Sequence, residues 1–433
     1  MTKKTFPIVT VTLDKIVGGG QTLGTMNDGR KLFVWGGLPG ETVEVQLTKK
    51  KSSYAEGVVT RVLKASDQRI EPLDADSYLS TSPWQIMNFD AEQFYKSALI
   101  EEAFELHNIV LPNPITTYTD GHEYHYRNKV EFSWYSTEDP ETAADTLDLA
   151  FFRRGSKGKV TLDTCALLPE TLMQTARDIR DALRLQGVTA RQLKTLLVRC
   201  DQAGNCVWQL YIKDEDFNVP ISTLEHIGQG GEIIYSNPKS PASVITKRLA
   251  QTGDIVLNDT VLDIPFRYAT EGFFQINLPV YEQALKDMKE WIPSDTATVD
   301  LYSGVGSIGL TIGGPGVTLV EINEHAVREM KRNIKELGLD ATPVLAASED
   351  ALDHITGDKT IVVDPPRAGL HQAVVDRLLE TMPPRIVYLS CNPVTQARDI
   401  ERLAEKYGVR AHQGYNFFPR TPHIEHLVIL DRK

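Results

Sequence analysis

The sequence predicts an α/β protein: a doubly wound parallel sheet in the C-terminal part, preceded by a small antiparallel barrel and a mixed α+β segment. Three observations carry this. Residues 1–70 alternate apolar and polar side chains between closely spaced turns, residues 71–265 mix helix-like and strand-like stretches, and residues 266–433 exchange short apolar strands with helices in regular order.

The barrel is read from its turns, Gly18-Gly19-Gly20, Asn27-Asp28-Gly29 and Leu38-Pro39-Gly40, which cut the alternating pattern into short strands. Small barrels of this kind often bind oligonucleotides, although a fold alone does not assign a function. In the middle segment, 91–107 and 169–185 have helical character, and 130–135, 195–200 and 207–212 have strand character. Ala203-Gly204-Asn205 is the expected turn of a hairpin joining the last two. There is no internal repeat.

Composition narrows the class. A chain of 433 residues with ordinary apolar content can bury large cores and suggests about two to four domains. The four cysteines, Cys165, Cys200, Cys206 and Cys391, have no CxxC spacing, so neither a disulfide framework nor a zinc ribbon is expected, and a reducing cytoplasm fits best. The N-terminus lacks the apolar core of a signal peptide, and no stretch approaches the roughly 18 apolar residues of a membrane span, so a soluble protein is expected. The formal charge of -12 argues against a nucleic-acid ligand on its face. Yet Lys49-Lys50-Lys51, Arg127 to Lys129, Arg153-Arg154 with Lys157 and Lys159, and Arg191 with Lys194 concentrate cations before the last third, which allows a local basic groove on an acidic chain.

The chemistry concentrates in the C-terminal part. The apolar run ending at Leu389 reads as a buried parallel strand, so Cys391 in Ser390-Cys391-Asn392-Pro393 emerges at a carboxyl edge, where open α/β sheets bind ligands. A lone cysteine is more often an inert core residue. Its companions reverse that expectation. Asp300-Leu301-Tyr302-Ser303-Gly304-Val305-Gly306-Ser307-Ile308-Gly309 is a strand, a Gly-rich turn and a helix start, and the next strand ends in Glu321, placed to hydrogen-bond ribose hydroxyls. This predicts a nucleoside-containing cofactor. NAD is a rival, but a carboxylate at Asp300 sits poorly with a pyrophosphate and would suit a cationic group such as the amino group of S-adenosylmethionine. Asp364-Pro365-Pro366-Arg367 closes a third strand with a rigid corner suited to hold a planar base.

With Gly272-Phe273-Phe274-Gln275-Ile276-Asn277 and Pro422-His423-Ile424-Glu425-His426, these motifs make nearly the whole chain resemble the S-adenosylmethionine-dependent RNA 5-methyluridine methyltransferases, the group of the bacterial 23S ribosomal RNA and transfer RNA uracil-C5 enzymes. The first 70 residues resemble the TRAM domain, an OB-like barrel found on the ribosomal RNA enzymes. The resemblance implies a Rossmann-like methyltransferase domain (266–433), a central α+β RNA-recognition domain (71–265) and a TRAM-like barrel (1–70). It further implies that Gln275, Tyr302, Ser307, Glu321 and Asp364 contact S-adenosylmethionine, with Ser307 where relatives often carry Asn. Cys391 would be the nucleophile and Glu425 the general base. Phe273, Phe274 and Tyr302 are candidates for stacking a flipped base, and the cations of Tyr126-Arg127-Asn128-Lys129 and Phe152-Arg153-Arg154-Gly155-Ser156 for phosphate contacts.

Several relatives carry a four-cysteine iron-sulfur site after the barrel. Here the matching stretch, Tyr78-Leu79-Ser80-Thr81-Ser82-Pro83-Trp84-Gln85, has no cysteine, and Cys165 alone cannot hold a cluster, so none is expected and packing around Trp84 should fill the space. The expected partner is RNA, ribosomal RNA ahead of transfer RNA, with no metal, no membrane, a monomeric state and a cytoplasmic location. The alternatives are an exocyclic-amine N-methyltransferase, which has no use for Cys391, a NAD-linked oxidoreductase, which leaves Cys391 and Glu425 unexplained, and a non-catalytic RNA-binding protein that retains the fold.

Overall fold

The computed structural model describes residues 6–136 and 146–433. Five strands, β1 (Ile8–Ile16), β2 (Thr22–Thr25), β3 (Lys31–Trp35), β4 (Thr42–Lys50) and β5 (Tyr54–Lys64), close into a barrel in the order β1-β2-β3-β5-β4. Alternation drives the closure: Val11, Leu13, Leu32, Val34, Val43, Val45 and Leu47 point inward and are buried, as period-two patterning requires. The expected Gly turns join β1 to β2, join β2 to β3 and precede β4.

After α1 (Tyr78–Thr81), α2 (Phe89–Glu105) and the short β6 (Thr117–Tyr118) come β7 (Lys129–Tyr135), β8 (Asp148–Phe152), β9 (Lys159–Thr161), α3 (Glu170–Leu185), β10 (Leu193–Cys200), β11 (Cys206–Ile212), β12 (Gly230–Tyr235) and β13 (Lys247–Gly253). Strands β7 to β13 form one sheet in the order β13-β12-β11-β10-β7-β8-β9. The apolar face of α3, with Leu172, Met173, Ala176, Ile179 and Leu183, packs on it. The hairpin at Ala203-Gly204-Asn205 forms as expected, with β10 antiparallel to β11. Its register sets Cys200 opposite Cys206, and the two form a disulfide, a pairing that the absence of CxxC spacing had hidden.

Around residues 78–85 a buried polar network lies beside buried apolar side chains, Trp84, Ile86 and Met87 among them. The Gln85 amide donates to Asp74 at 2.8 Å and to Ser82, and Asp74 accepts the Ala166 N–H at 3.0 Å beside the buried Cys165. Trp84 is buried, and its indole N–H donates to the Gly20 carbonyl at 3.1 Å.

The remaining elements are β14 (Val256–Val261), β15 (Ile264–Ala269), α4 (Leu278–Lys289), β16 (Thr298–Leu301), α5 (Gly309–Ile312), β17 (Val317–Glu321), α6 (Glu324–Leu337), β18 (Ala341–Leu345), β19 (Thr360–Val363), α7 (Gln372–Thr381), β20 (Arg385–Ser390), α8 (Pro393–Leu403), β21 (Tyr407–Tyr415) and β22 (Glu425–Arg432). The sheet order is β18-β17-β16-β19-β20-β22-β21-β6. Strands β18 to β20 are parallel, as the alternation of strands and helices predicted, but β22 runs antiparallel to β20, so the sheet is mixed rather than wholly parallel.

Contacts divide the chain into two compact units: residues up to Tyr95 with His122–Ile255 and Pro419–Pro422, and Lys96–Gly121 with Val256–Phe418 and His423–Lys433. The second unit therefore takes in residues 96–121 and starts at 256, where the sequence reading placed both in a central domain ending at 265. The reason lies in pairing: β6 is too short to stand alone and adds in parallel to β21, with Tyr118 beside Tyr415. Among the described residues, no helix is long and apolar enough to cross a membrane.

Candidate active site

Three parallel strands end side by side. Leu301 of β16 pairs with Val320 on one flank and Val363 on the other, so the next residues, Tyr302, Glu321 and Asp364, leave the sheet together. Glu321 is held by the backbone: the Gly304 N–H donates to Oε2 at 2.9 Å and the Asn323 N–H to Oε1 at 2.6 Å. Each oxygen keeps a lone pair for a further donor. Tyr302 has φ 64°, a left-handed conformation that bulky residues rarely adopt, and its hydroxyl lies beside Ser348 and the His371 backbone. Tyr302, Glu321, Ser348 and His371, with Gly369 and Leu370, line a cavity of about 490 Å³, a size that suits a nucleoside-containing ligand; Asp364, Gln275 and Ser307 are not among its lining residues.

Asp300 does not face this cavity. It is fully buried beneath the Gly-rich turn, where Oδ2 accepts the Gly309 N–H at 2.9 Å and Oδ1 has no partner. A Cβ on Gly309 would lie 2.3 Å from Leu319 and 2.9 Å from Asp300, so only glycine lets the turn settle onto the strand. Burial pushes the Asp300 carboxyl up to about 8. The role expected for it, meeting a cationic ligand, is therefore withdrawn: it is a structural acid under the turn. The helix start expected after the turn is a single short one, α5.

The second half of the site comes from the antiparallel pair. Strands β20 and β22 pair Arg385 with Asp431 and Ser390 with His426; Cys391 and Glu425 each lie next to that last pair, and the Glu425 carboxylate is near enough to act on the Cys391 thiol. Asn392 caps α8, its side chain accepting the Val394 N–H at 3.2 Å, so Cys391 occupies the sharp junction between strand and helix. The thiol is half-buried, whereas Glu425 is 4% exposed. Burial, reinforced by the Glu425 and Asp364 carboxylates, pushes the Cys391 thiol up to about 11, while Arg367 pulls the other way. Burial likewise raises Asp364 to about 7 and holds Glu425 well above the usual carboxylate range, again with Asp364 adding to it and Arg367 opposing. Three acids and one guanidinium thus share a desolvated pocket, and protons are retained there near neutrality. His423 completes the rim, its Nδ1 lying 3.3 Å from Arg367.

The remaining expected residues are placed as follows. Gln275 is 7% exposed and lies two residues before Asn277, which precedes α4 and donates to the Phe417 carbonyl at 3.2 Å. The Ser307 hydroxyl shares a 2.9 Å hydrogen bond with the Tyr281 hydroxyl. Phe273 is exposed, but Phe274 is buried and stacked on Tyr268 at 4.2 Å, so it is a packing residue and not a platform for a base. Arg154 lies over the Trp35 ring of β3 at 4.2 Å and donates to the Leu79 carbonyl of α1 at 2.8 Å, which makes it a fastener between strand and helix, whereas Arg153 is exposed. Sequence reasoning missed Ser348 and Leu370 as cavity walls, because neither lies in a distinctive pattern.

Two family models match the chain: tRNA (Uracil-5-)-methyltransferase over residues 254–433 and the TRAM domain over residues 3–60. A protein of Enterococcus faecalis described as an uncharacterized RNA methyltransferase is 29% identical over 93% of this chain and 92% of its own. One of Nitratidesulfovibrio vulgaris with the same description is 28% identical over 98% of this chain and 96% of its own. Among solved structures, the tRNA (uracil-54, C5)-methyltransferase of Pyrococcus abyssi in complex with S-adenosyl-L-homocysteine is similar in fold, with a TM-score of 0.78 and 20% identity over 97% of this chain and 100% of that one.

Proposed function

We propose, from the premise that this chain belongs to the S-adenosylmethionine-dependent RNA uracil-C5 methyltransferases and carries an N-terminal TRAM domain, that it methylates C5 of a uridine through Cys391 and Glu425. The observation that carries the reading is the closeness of the Cys391 thiol to the buried Glu425 carboxyl, each next to the last pair of β20 and β22.

The residues present fit the cofactor. Glu321 offers two fixed acceptors for ribose hydroxyls and Tyr302 flanks the cavity, while Gln275, Ser307 and Asp364, which lie outside its lining, are assigned to the same ligand by the resemblance alone. When bound, S-adenosylmethionine supplies a methyl group on a sulfonium. Cys391 does the preparatory work: its thiol gives up its proton to solvent, the thiolate adds to C6 of uracil, the C5–C6 double bond opens, and C5 becomes an enolate-like carbon able to accept that methyl. Glu425, which must be the carboxylate at this step although burial favours its protonated form in the ligand-free site, then takes the C5 proton, the C5–C6 double bond re-forms, and the C6–S bond breaks to release the thiolate. A uridine must leave any stack to reach this junction, so the target is a loop or a flipped nucleotide. With the thiol up to about 11, the thiolate is scarce in the ligand-free site, and Arg367 is the cation that favours it.

Ribosomal RNA is the substrate class favoured by the barrel. Transfer RNA is the second reading, favoured by the likeness of a tRNA enzyme across 97% of this chain. A monomer acting in the cytoplasm accompanies either. The test is transfer of labelled methyl from S-adenosylmethionine to unmodified ribosomal and transfer RNA, followed by nucleoside analysis. Product 5-methyluridine is expected, and the labelled RNA identifies the class. A methylated adenine or guanine would remove the role given to Cys391.

A further inference from the structure

We infer that Asp399 is a positioning residue, which clamps the cavity wall at residues 367–370 to the helix that starts beside Cys391. Asp399 lies on α8 and is fully buried. Its Oδ2 accepts the Leu370 N–H at 2.8 Å and the Tyr388 hydroxyl at 3.0 Å, and its Oδ1 accepts Arg398 Nη2 at 2.7 Å. A Cβ on Gly369, whose φ is +80°, would lie 2.5 Å from the same Oδ2, so the loop is pressed directly against the carboxylate.

The rest of the helix start holds the same loop. The Asn392 amide donates to the Arg367 carbonyl at 2.9 Å, the Thr395 hydroxyl to the same carbonyl at 3.2 Å, and Arg398 to the Ala368 carbonyl at 2.8 Å. Ala368, Gly369 and Leu370 all line the cavity that also contains Tyr302 and Glu321. One helix therefore fixes two things at once: the junction carrying the thiol and the wall facing the cofactor. Of these ties, Asp399 is the most buried and the one that takes several donors on a single group, so its loss leaves the Leu370 N–H and the Tyr388 hydroxyl unsatisfied together. Asp399 touches neither reactant in this scheme. It acts through Leu370 and Gly369 on the ligand and through α8 on Cys391. The inference rests on the methyltransferase reading of the cavity.

The experiment uses the full chain and two readouts that need no turnover. Calorimetric binding of S-adenosylhomocysteine reports the wall, and the rate of iodoacetamide modification at Cys391, followed by peptide mapping with Cys165 as internal reference, reports the junction. Asp399→Ala is expected to weaken S-adenosylhomocysteine binding at least about tenfold and to change Cys391 modification several-fold. Asp399→Asn, which keeps an acceptor for Leu370, should recover part of both effects. If Asp399→Ala does not fold, Asp399→Asn and Thr395→Val decide: each is expected to move both readouts in the same direction by a smaller factor. A loss of melting temperature with binding and thiol modification both at the parent values would make Asp399 a purely structural residue and overturn the inference. If the parent itself binds no S-adenosylhomocysteine, the methyltransferase reading fails, and unchanged Cys391 modification in the variants would then overturn the clamp separately.

Discussion

Glu321 and Glu425 are two glutamates at the ends of strands in one sheet, yet their surroundings are opposite. Glu321 is met by two backbone N–H groups and faces an open cavity. Glu425 is buried among Asp364, Cys391 and Arg367, and among the described residues no hydrogen bond to its carboxyl offsets that burial. In the proposed scheme this difference separates binding from proton transfer. Backbone donors fix a carboxylate as a permanent acceptor, whereas desolvation and neighbouring acids leave a carboxyl poised to hold or release a proton.

The strongest way to break this contrast is at the thiol. Cys391→Ala should reduce methyl transfer at least about 10⁴-fold while leaving S-adenosylhomocysteine affinity unchanged. Residual turnover in that variant near the parent rate would end the covalent scheme. Glu425→Gln should permit one methyl transfer and then leave protein and RNA covalently joined, seen as a shifted band on a denaturing gel. Repeated turnover without a trapped species would show that another group removes the C5 proton. On the binding side, Glu321→Ala should weaken S-adenosylhomocysteine about 10- to 100-fold by losing hydrogen bonds to a charged acceptor, with the pH profile of Cys391 modification unaltered.

A smaller effect sharpens the proton side. In the ligand-free protein, iodoacetamide modification of Cys391 should rise about tenfold per pH unit from pH 7 to 9, because a thiol raised to about 11 is still far from ionised there. Asp364→Asn should speed it at a given pH by removing a nearby negative charge, and Arg367→Ala should slow it. The smallest effect concerns stability. The Asp300 carboxyl is raised in the folded state to about 8, so its contribution is complete below the ordinary carboxylate range and is lost as pH climbs through 8. Asp300→Asn should flatten the melting temperature across that window, and an equal slope in both proteins would show that Asp300 does not carry it.

Much of this was legible in the chain. Barrel turns, the α3 amphipathic face and the strands ending at Leu301, Glu321, Val363 and Ser390 follow from periodicity and turn residues, which are local signals. What was hidden depends on contacts between distant segments. The antiparallel entry of β22 cannot be read from its own residues, because the buried apolar run Leu427, Val428, Ile429 and Leu430 at its middle has no direction in its pattern. Asp300 and Glu321 look alike as acids at strand ends, and only the close approach of Gly309 decides that one is sealed and the other open. Asp399 had no motif at all. It is one aspartate in a helix, and its partners lie on a loop and a strand.

The register of β20 and β22 also bears on how the molecule is made. Cys391 is synthesised with β20, but the strand that faces it with Glu425 comes after α8 and β21. A chain emerging from the ribosome can fold its barrel and much of its parallel sheet while the cysteine still lacks its carboxyl partner. β22 lies between β20 and β21 and adds Val428 and Leu430 to the core, so the pocket around Cys391 closes only when the C-terminal strand has paired.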